Sequence, residues 1–423
     1  MDEQPAPGGQ IYRGAEAASD AQRAILGADY TAGARLIAEF RRSGAEYRPG
    51  TQVWRIGPDG TLNCSAGGTV RAQRLVLATG AMERPVAFPG WTLPGVMTAG
   101  AAQIMIKTGG LLPTGRVVLA GTGPLLLLVA AQLLDAGVDV AAVAETTRVG
   151  ARMRAAFAVR QDFAADQMLR KGLGLLVRLR RHGVRQMHGV RSLEALGADR
   201  LTAVRISRTA SSQVIAADLL LVHFGVTPDL QAVRSVGLPV RWDDDQVALS
   251  PVVDGWGRSA NQDLFVAGDG AGIAGAAAAA LRGRLAALAV AADLGRINAA
   301  ERDRLAGPIR AALARELRVR PLLDRWFRPA RDLLHPANEV VVCRCESVTA
   351  GRLRQAARMS GPDANAVKAV TRCGMGPCGG RQCGAALAQL TAEVHGLPPN
   401  ACLPPRVRPP IRPVRLGMLA AAS

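Results

Sequence analysis

The amino-acid sequence predicts an α/β fold with two Rossmann-like domains, followed by a small helical domain at the C-terminus. Three observations lead to this prediction. A stretch that begins at Val117 has the order strand, glycine-rich turn, helix and strand, which is the order of a Rossmann unit. Two other apolar strands end in turns of small residues, at 74–80 and 263–270. Finally, five of the seven cysteines fall between Cys343 and Cys383.

Size and composition fit a protein of several packed domains. The 423 residues are enough for about two to three domains, and 49% hydrophobic residues can fill their cores. The 18 uncharged positions from Val117 to Leu134 contain Gly121, Gly123 and Pro124, which favours a strand, turn and helix over a membrane span. No signal peptide opens the chain. We therefore expect a cytoplasmic protein without a membrane span, whose thiols stay reduced.

The net charge of +18 raises the question of nucleic-acid binding. The arginines are dispersed, aromatic residues make up only 4% of the chain, and no nucleic-acid motif is present. We therefore expect no nucleic-acid partner. The densest basic stretch lies in the Pro/Arg-rich tail, residues 401–423, which we expect to be extended and packed on a surface.

The first ten residues have the pattern of a strand end followed by a turn. This segment resembles the end of the second strand of an FAD-binding Rossmann unit, in which Glu3 would bind the adenosine ribose and the Gly8-Gly9 turn would pass beside the flavin. In such a unit, a glycine-rich turn and a helix come before this segment and hold the pyrophosphate, and the sequence contains neither of them there. We expect either a true start about 30 to 40 residues upstream or loss of that turn. Tight FAD binding is not expected of the chain as written.

Two strand ends further along the chain have the pattern of a flavin site. Thr79 and Gly80 end a buried strand, and with the following Pro-Gly pattern they resemble the Ala-Thr-Gly junction of flavoproteins with two dinucleotide domains. Gly268 and Asp269 end another strand and open an alanine-rich helix from about Ala274. They resemble the Gly-Asp motif that closes an FAD site, which implies a hydrogen bond from Asp269 to the ribityl chain. An ordinary helix cap is the alternative interpretation of Asp269.

The stretch from Val117 predicts a second dinucleotide site. Gly121 allows the tight turn, and Gly123 lets a pyrophosphate approach the helix N-terminus. Glu145 ends the next strand, where a carboxylate can bind a ribose hydroxyl. Leu126 departs from the pattern because a glycine or alanine is usual there. We expect NAD, with ATP or another adenine nucleotide as the alternative. His188 and His223 have no acid or cysteine nearby in sequence, so we interpret both as structural or surface histidines.

The clustered cysteines predict a metal centre. Cys343-Arg-Cys345 supplies two thiolates, and either Cys373 with Cys378 or Cys378 with Cys383 supplies two more. Four thiolates meet the requirement of a 2Fe–2S cluster, and the neighbouring glycines allow backbone amides to approach the sulfurs. A zinc site is the main alternative, although the pattern lacks two Cys-x-x-Cys knuckles. A disulfide framework suits small secreted chains better.

The cysteine block resembles the bacterioferritin-associated-ferredoxin-like 2Fe–2S domain. In that family the spacing between the second and third cysteines matches the interval from Cys345 to Cys378 better than the shorter interval from Cys345 to Cys373. The resemblance therefore implies Cys343, Cys345, Cys378 and Cys383 as ligands, and leaves Cys373 as a neighbouring free thiol.

The whole chain resembles the alpha subunits of heteromeric FAD-dependent amine and amino-acid dehydrogenases, of the hydrogen cyanide synthase, opine oxidase and dye-linked proline dehydrogenase type. The domains expected are an FAD-type domain at 1–105 and 212–297, a second dinucleotide domain at 106–211, a helical connector at 298–337, the 2Fe–2S domain at 338–400 and the tail at 401–423. The FAD-type domain is therefore discontinuous and lacks its first strand and helix.

The resemblance implies electron transfer between flavin, a 2Fe–2S cluster and an acceptor, with the amine oxidised on a partner flavoprotein beta subunit. No catalytic residue is predicted in this chain, because it shows no Cys-x-x-Cys redox pair in the nucleotide domains, no hydrolase motif and no general base with a positioned partner. A scaffold subunit with structural zinc and a self-sufficient NAD(P)H-dependent reductase are the alternative functions.

Overall fold

The N-terminal part of the molecule packs two helices against the second domain. The computed structural model describes residues 1–66, 68–147 and 167–420. Helix α1, Asp20–Leu26, begins with a capping box in which Ser19 and Gln22 each bond the other's backbone amide. Helix α2, Ala28–Arg42, follows directly and buries Tyr30 and Ile37.

The first domain contains short strands that the chain contributes from distant positions. A three-stranded antiparallel sheet comprises β1 (Val53–Ile56), β2 (Thr61–Cys64) and β3 (Thr69–Arg71). Strand β4 (Leu75–Leu77) pairs in parallel with Leu264–Val266. The whole second domain lies between these two segments in sequence, so the first domain is discontinuous as the sequence predicts.

A five-stranded parallel sheet forms the centre of the second domain. Its spatial order is β6, β13, β7, β8, β9. The bounds are β6 Val96–Thr98, β7 Val117–Thr122, β8 Val140–Glu145, β9 Arg185–His188 and β13 Leu219–Phe224. Its helices are α3 Ala99–Gly109, α4 Pro124–Asp135 and α5 Gln167–Arg181. Helix α4 follows the glycine-rich turn predicted at 121–123, and residues 148–166 of this predicted domain lie outside the described ranges.

Strand β13 differs from the sequence-based domain assignment. We assigned residues 1–105 and 212–297 to the first domain, but both β6 and β13 belong to the sheet of the second domain, where β13 lies between β6 and β7. The physical reason is a meander of β10 (Ser192–Leu196), β11 (Ala203–Arg208) and β12 (Ser211–Ala216), which returns the chain to this sheet. The pairing partner of an apolar strand cannot be read from the strand itself.

The chain crosses back to the first domain after β13. Strand β14 (Val226–Pro228) pairs with β5 (Ala81–Glu83), and β15 (Val240–Asp243) pairs with β16 (Ala248–Pro251). A short helix, α6, spans Gln231–Ser235. Strand β17 (Leu264–Val266) then leads through a 3-10 turn into the long helix α7 (Ala276–Asp293). The connector follows as α8 Ala299–Arg318, α9 Arg320–Trp326 and α10 Arg331–Leu334.

The C-terminal domain consists of a two-stranded ribbon and three helices. The ribbon pairs β18 (Val341–Cys343) with β19 (Val348–Thr349). The helices are α11 Ala350–Ser360, α12 Ala364–Thr371 and α13 Gly384–Val394, and a last short helix, α14, spans Leu416–Ala420. Thr349 and Asp363 cap α11 and α12 through their side-chain oxygens. The core of this domain contains Leu353, Val367 and Leu387 together with three cysteines.

Two separate apolar cores lie on the two faces of the five-stranded sheet. One contains α4, whose Leu126, Val129 and Leu133 are fully buried against α1 and α3. Burying each such side chain contributes about 1.5–3 kcal/mol. The other core lies beneath the β10–β12 meander and includes Phe88 and Phe224 in edge-to-face contact. Leu126 therefore occupies the third position of the glycine-rich pattern as a packed core residue.

Candidate functional site

Three buried cysteines meet in the loops of the C-terminal domain. The Sγ atoms of Cys343, Cys373 and Cys383 all lie within 4.8 Å of one another. Cys343 ends β18, Cys373 follows α12, and Cys383 precedes α13. All three side chains are fully buried. The fold therefore collects thiols from three elements at one point.

The other two cysteines of the block form a second, more exposed group. Cys345 and Cys378 are neighbours: burial and the charge of the Cys378 sulfur raise the pKa of Cys345, whereas the backbone N–H of Cys378 acts in the opposite direction. Cys345 is exposed, whereas Cys378 is half-buried. Gly376 makes the approach possible, because a Cβ at this position would lie 2.2 Å from Cβ of Cys345.

The loop stabilises negative charge on sulfur. Hydrogen bonds from the Cys373 and Cys383 thiols hold the pKa of Cys343 far below its ordinary value, and the backbone N–H groups of Gly374 and Glu346 add to this effect. The same contacts raise the pKa of Cys373 and of Cys383, since each keeps its proton to donate it. Backbone amides directed at thiolates are the surroundings that an anionic iron–sulfur centre needs.

These donors fit a 2Fe–2S cluster. Three thiols converge at one point, and Cys345 and Cys378 lie in the same loops, so the four thiolates that such a cluster needs are available nearby. Cys343 and Cys383, both predicted ligands, belong to the buried group, and Cys345 and Cys378, the other two, form the exposed group. Cys373 lies inside the buried group and was predicted to be a free thiol.

The residues predicted for the flavin end of the first domain come together. The parallel pairing of β4 with β17 places the turns after both strands side by side. A Cβ on Gly270 would lie 3.2 Å from Oγ1 of Thr79 and 3.4 Å from the backbone N of Gly80. Gly268 begins the 3-10 turn with a φ of 69°, which favours glycine.

Asp269 is engaged with the start of a helix. Its Oδ1 accepts hydrogen bonds from the backbone N–H of Ala274 at 2.9 Å and of Gly275 at 3.0 Å, directly before α7. These contacts fix the loop before α7, and no side chain caps the helix at its N-cap residue Gly275. Both contacts engage the same carboxylate oxygen, Oδ1.

Glu3 and the Gly8-Gly9 turn lie at the edge of the first domain. The Glu3 carboxylate is half-exposed and lies 3.7 Å from Nε of Arg412 in the tail. Gly8 accepts a backbone hydrogen bond from Tyr12 at 2.9 Å, and a Cβ on Gly8 would lie 2.4 Å from the Tyr12 carbonyl oxygen. The tail is thus extended and packed on the first domain, with Ile411 N–H donating to the Trp54 carbonyl at 2.8 Å.

The glycine-rich turn of the second domain has the geometry that the pattern predicts. Gly121 and Gly123 have φ angles of 138° and 119°, which only glycine adopts readily. A Cβ on Gly121 would lie 1.8 Å from the His223 carbonyl oxygen. No side chain caps the N-terminus of α4. Pro124 has no N–H, and the Leu126 N–H donates to the Gly123 carbonyl at 3.2 Å, which leaves the Leu125 N–H for an anion.

Both histidines that the sequence left as structural or surface residues pair with acids. Nδ1 of His188 lies 2.8 Å from Oε2 of Glu145, the predicted ribose-binding carboxylate. Nδ1 of His223 lies 2.7 Å from Oε1 of Glu83. The sequence-based interpretation missed these pairs because the partners are 43 and 140 positions apart. The structure places each histidine at or next to the carboxyl end of a strand of the parallel sheet, where cofactor sites of this fold lie.

The cysteine loop contacts the flavin end of the first domain. Nε2 of Gln231 donates to the Gly379 carbonyl, between Cys378 and Cys383, at 3.4 Å. The neighbouring Asp229 accepts from Oγ1 of Thr79 and donates its N–H to the Gly80 carbonyl, both at 3.0 Å.

Two further contacts fix the position of the C-terminal domain. Trp91 Nε1 donates to the Val341 carbonyl at 2.6 Å. Arg412 of the tail lies 3.2 Å from Asp229. The C-terminal domain is therefore seated beside the Thr79–Gly80 turn.

Comparison with known proteins identifies the families that the two parts of the chain match. Residues 3–293 match the pyridine nucleotide-disulphide oxidoreductase family, and residues 341–393 match the BFD-like [2Fe-2S] binding domain. The chain belongs to the pyridine nucleotide-disulphide oxidoreductase family. It carries a BFD-like domain at its C-terminus, which confirms the predicted fold class of two Rossmann-like domains and a small helical 2Fe–2S domain.

Individual relatives place the chain more closely. An opine oxidase subunit of Rhizobium meliloti is 41% identical over 99% of this chain and 82% of its own length. Hydrogen cyanide synthase subunit HcnB of Pseudomonas aeruginosa is 35% identical over 90% of this chain and 85% of its own length. The crystal structure of L-proline dehydrogenase from P. horikoshii covers 99% of this chain and 73% of its own, with a TM-score of 0.68 and 18% identity, which shows a shared fold.

These findings confirm the predicted resemblance to alpha subunits of heteromeric dehydrogenases and oxidases. The chain is an oxidoreductase of the FAD- and NAD(P)-binding class. Among the described residues, none of the helices combines the length and apolar character needed to cross a bilayer.

Proposed function

We propose that this chain is the electron-transferring subunit of a heteromeric amine or amino-acid dehydrogenase or oxidase. The substrate, of the opine, proline or glycine type, is oxidised on a partner flavoprotein beta subunit. Electrons then pass between flavin and the 2Fe–2S cluster of this chain and on to an acceptor. The names of the relatives, which describe subunits of an opine oxidase and of a hydrogen cyanide synthase, support the assignment to a multi-subunit enzyme.

The observation that carries the proposal is the seating of the cysteine loop on the flavin end of the first domain. The hydrogen bonds from Thr79 to Asp229 and from Gln231 to Gly379 lie on one short stretch of chain, residues 229–231. A cluster bound in this loop would have the flavin end as its nearest cofactor neighbour. Flavin accepts electrons in pairs and a 2Fe–2S cluster transfers them singly, and cofactors carry this chemistry while the protein positions them.

We assign the cluster ligands as Cys343, Cys345, Cys378 and Cys383, with Cys373 as a neighbouring thiol. The spacing of the family pattern supports this choice, and two of the four, Cys343 and Cys383, meet in the buried group. For FAD we assign Glu3, Gly8, Gly9, Thr79, Gly80, Gly268 and Asp269. For NAD or another adenine nucleotide we assign Gly121, Gly123 and Glu145. We also assign the protein to the cytoplasm, where thiolates remain available to iron.

A self-sufficient NAD(P)H-dependent reductase is the second candidate function. The uncapped N-terminus of α4 beside Gly121 and Gly123 favours it, because a nicotinamide dinucleotide could deliver hydride from this side. In that case the isolated chain would reduce a dye with NADH. In the proposed electron-transfer role, by contrast, dye reduction depends on an amine substrate and on the partner subunit.

The test is anaerobic purification of the chain alone and with its partner, followed by metal, sulfide and flavin analysis. We expect a brown protein with about two iron and two labile sulfide per chain. We also expect the partner to co-purify and substrate-dependent dye reduction to require both chains. A colourless chain loaded with zinc would overturn the proposal in favour of a scaffold role.

A further inference from the structure

A buried acid–histidine pair lies where the two nucleotide folds meet. The His223 side chain is 3% exposed and the Glu83 side chain 16% exposed. Nδ1 of His223 lies 2.7 Å from Oε1 of Glu83, and Oε2 of Glu83 accepts the backbone N–H of Gly100 at 3.0 Å. Gly100 belongs to the first turn of α3. Both oxygens of Glu83 are therefore engaged, and the imidazole ring is held by one of them.

The other ring nitrogen faces the glycine-rich turn. A Cβ built on Gly123 would lie 3.0 Å from Cδ2 and 3.1 Å from Nε2 of His223. The second glycine of this pattern lacks a side chain so that a pyrophosphate can approach the backbone. A Cβ on Gly123 would therefore point toward the space that the pyrophosphate occupies, and the His223 ring lies beside that space.

The contacts of His223 do not account for its second nitrogen. Among the described residues its side chain has one hydrogen-bonding partner, Glu83. Nε2 is not one of the fully enclosed side-chain atoms without a partner, so it reaches the open side of the turn, where a ligand can bond it. With Nδ1 bonded to Glu83, Nε2 is the ring atom left for an anion at the turn.

We propose that His223 contacts a phosphate of the nucleotide bound in the second domain, and that Glu83 is its positioning residue. The inference rests on the proposed nucleotide site at Gly121 and Gly123 and extends it to a side chain outside the glycine-rich pattern. The ligand class is an adenine nucleotide with at least two phosphates, because the α4 N-terminus and Nε2 offer donors to adjacent phosphate oxygens.

The experiment measures binding of ADP, NADH and adenosine to the purified complex and its variants by calorimetry. We expect His223→Ala to weaken ADP and NADH binding by about 10- to 100-fold, the value of one charge-assisted hydrogen bond. Adenosine binding should not change, because adenosine has no phosphate. His223→Gln keeps a donor and should recover part of the affinity. Glu83→Gln keeps an acceptor for Nδ1 but removes the charge, so its loss should be smaller than that of His223→Ala.

The matched control is His395→Ala, which removes a histidine that bonds only a backbone carbonyl in the C-terminal domain. This variant should bind ADP and NADH like the wild type. Wild-type affinity in both His223 variants overturns the proposal, as does an equal loss for adenosine. If His223→Ala does not fold, the affinities of His223→Gln and Glu83→Gln for ADP, NADH and adenosine test the proposal in the same way. A wild type that binds none of the three ligands also overturns it, whereas failure of the electron-transfer function would appear separately as missing iron and sulfide.

Discussion

Trp91 provides the sharpest test of how the C-terminal domain is held against the nucleotide folds. Its Nε1 donates to the Val341 carbonyl at 2.6 Å, just before Cys343 in the chain. Trp91→Phe keeps the apolar ring but leaves that carbonyl without its donor. The expected loss is about 1 kcal/mol for the hydrogen bond, rising to about 3 kcal/mol if the carbonyl stays unsatisfied. Opening of the ribbon of β18 and β19 should become about 5- to 150-fold more frequent.

The assay is hydrogen exchange of the Val342 and Cys343 amides in the holoprotein. The control is Trp242→Phe, the same chemical change at an indole that donates to exposed Asp244 at 2.9 Å. Trp91→Phe should accelerate exchange at these amides, retain its iron, and slow electron transfer between flavin and cluster. Unchanged exchange, or equal acceleration in Trp242→Phe, would refute the docking role of Trp91.

Three further predictions concern the cysteine loop, Arg84 and Lys107. Cys378→Ser should lose iron and visible absorbance, whereas Cys373→Ser should keep about two iron per chain. Iron analysis of both variants checks this, and iron retained in Cys378→Ser but lost in Cys373→Ser would contradict it. Arg84 donates to three backbone carbonyls at 2.7–3.2 Å, so Arg84→Met should lower the free energy of unfolding by about 3 kcal/mol in urea titrations, and a change below about 0.5 kcal/mol would contradict this. Burial lowers the pKa of Lys107 from 10.5 to about 8. Between these pH values the unfolded chain binds one more proton than the folded chain, so the free energy of unfolding of the wild type should rise with pH. Lys107→Met should lose this rise, and its free energy of unfolding at pH 7 should be higher by up to about 3 kcal/mol. The same pH slope in Lys107→Met and in the wild type would refute this prediction.

The local patterns of the sequence were sufficient to predict the first elements of the second nucleotide-binding domain. The strand, turn, helix and strand predicted from Val117 appear as β7, α4 and β8. The small helical domain predicted at the C-terminus also appears, with helices α11, α12 and α13. These elements depend on apolar periodicity, caps and glycines that lie close together in the chain.

Pairings between distant segments were not predictable in the same way. Strand β13 was assigned to the wrong domain because its apolar residues suit any buried parallel strand. The pairs of His188 with Glu145 and of His223 with Glu83 depend on which strands become neighbours. The grouping of Cys373 with Cys343 and Cys383 likewise follows from the packing of α12 and α13, because two helices separate Cys345 from Cys373 in the chain.

Electron paramagnetic resonance of the anaerobically purified, dithionite-reduced protein tests the central assignment most directly. A 2Fe–2S cluster held by four cysteines predicts a rhombic signal of about one unpaired electron per chain. Cys378→Ser should abolish this signal. A wild-type protein with no such signal, and with zinc as its only metal, would contradict the assignment.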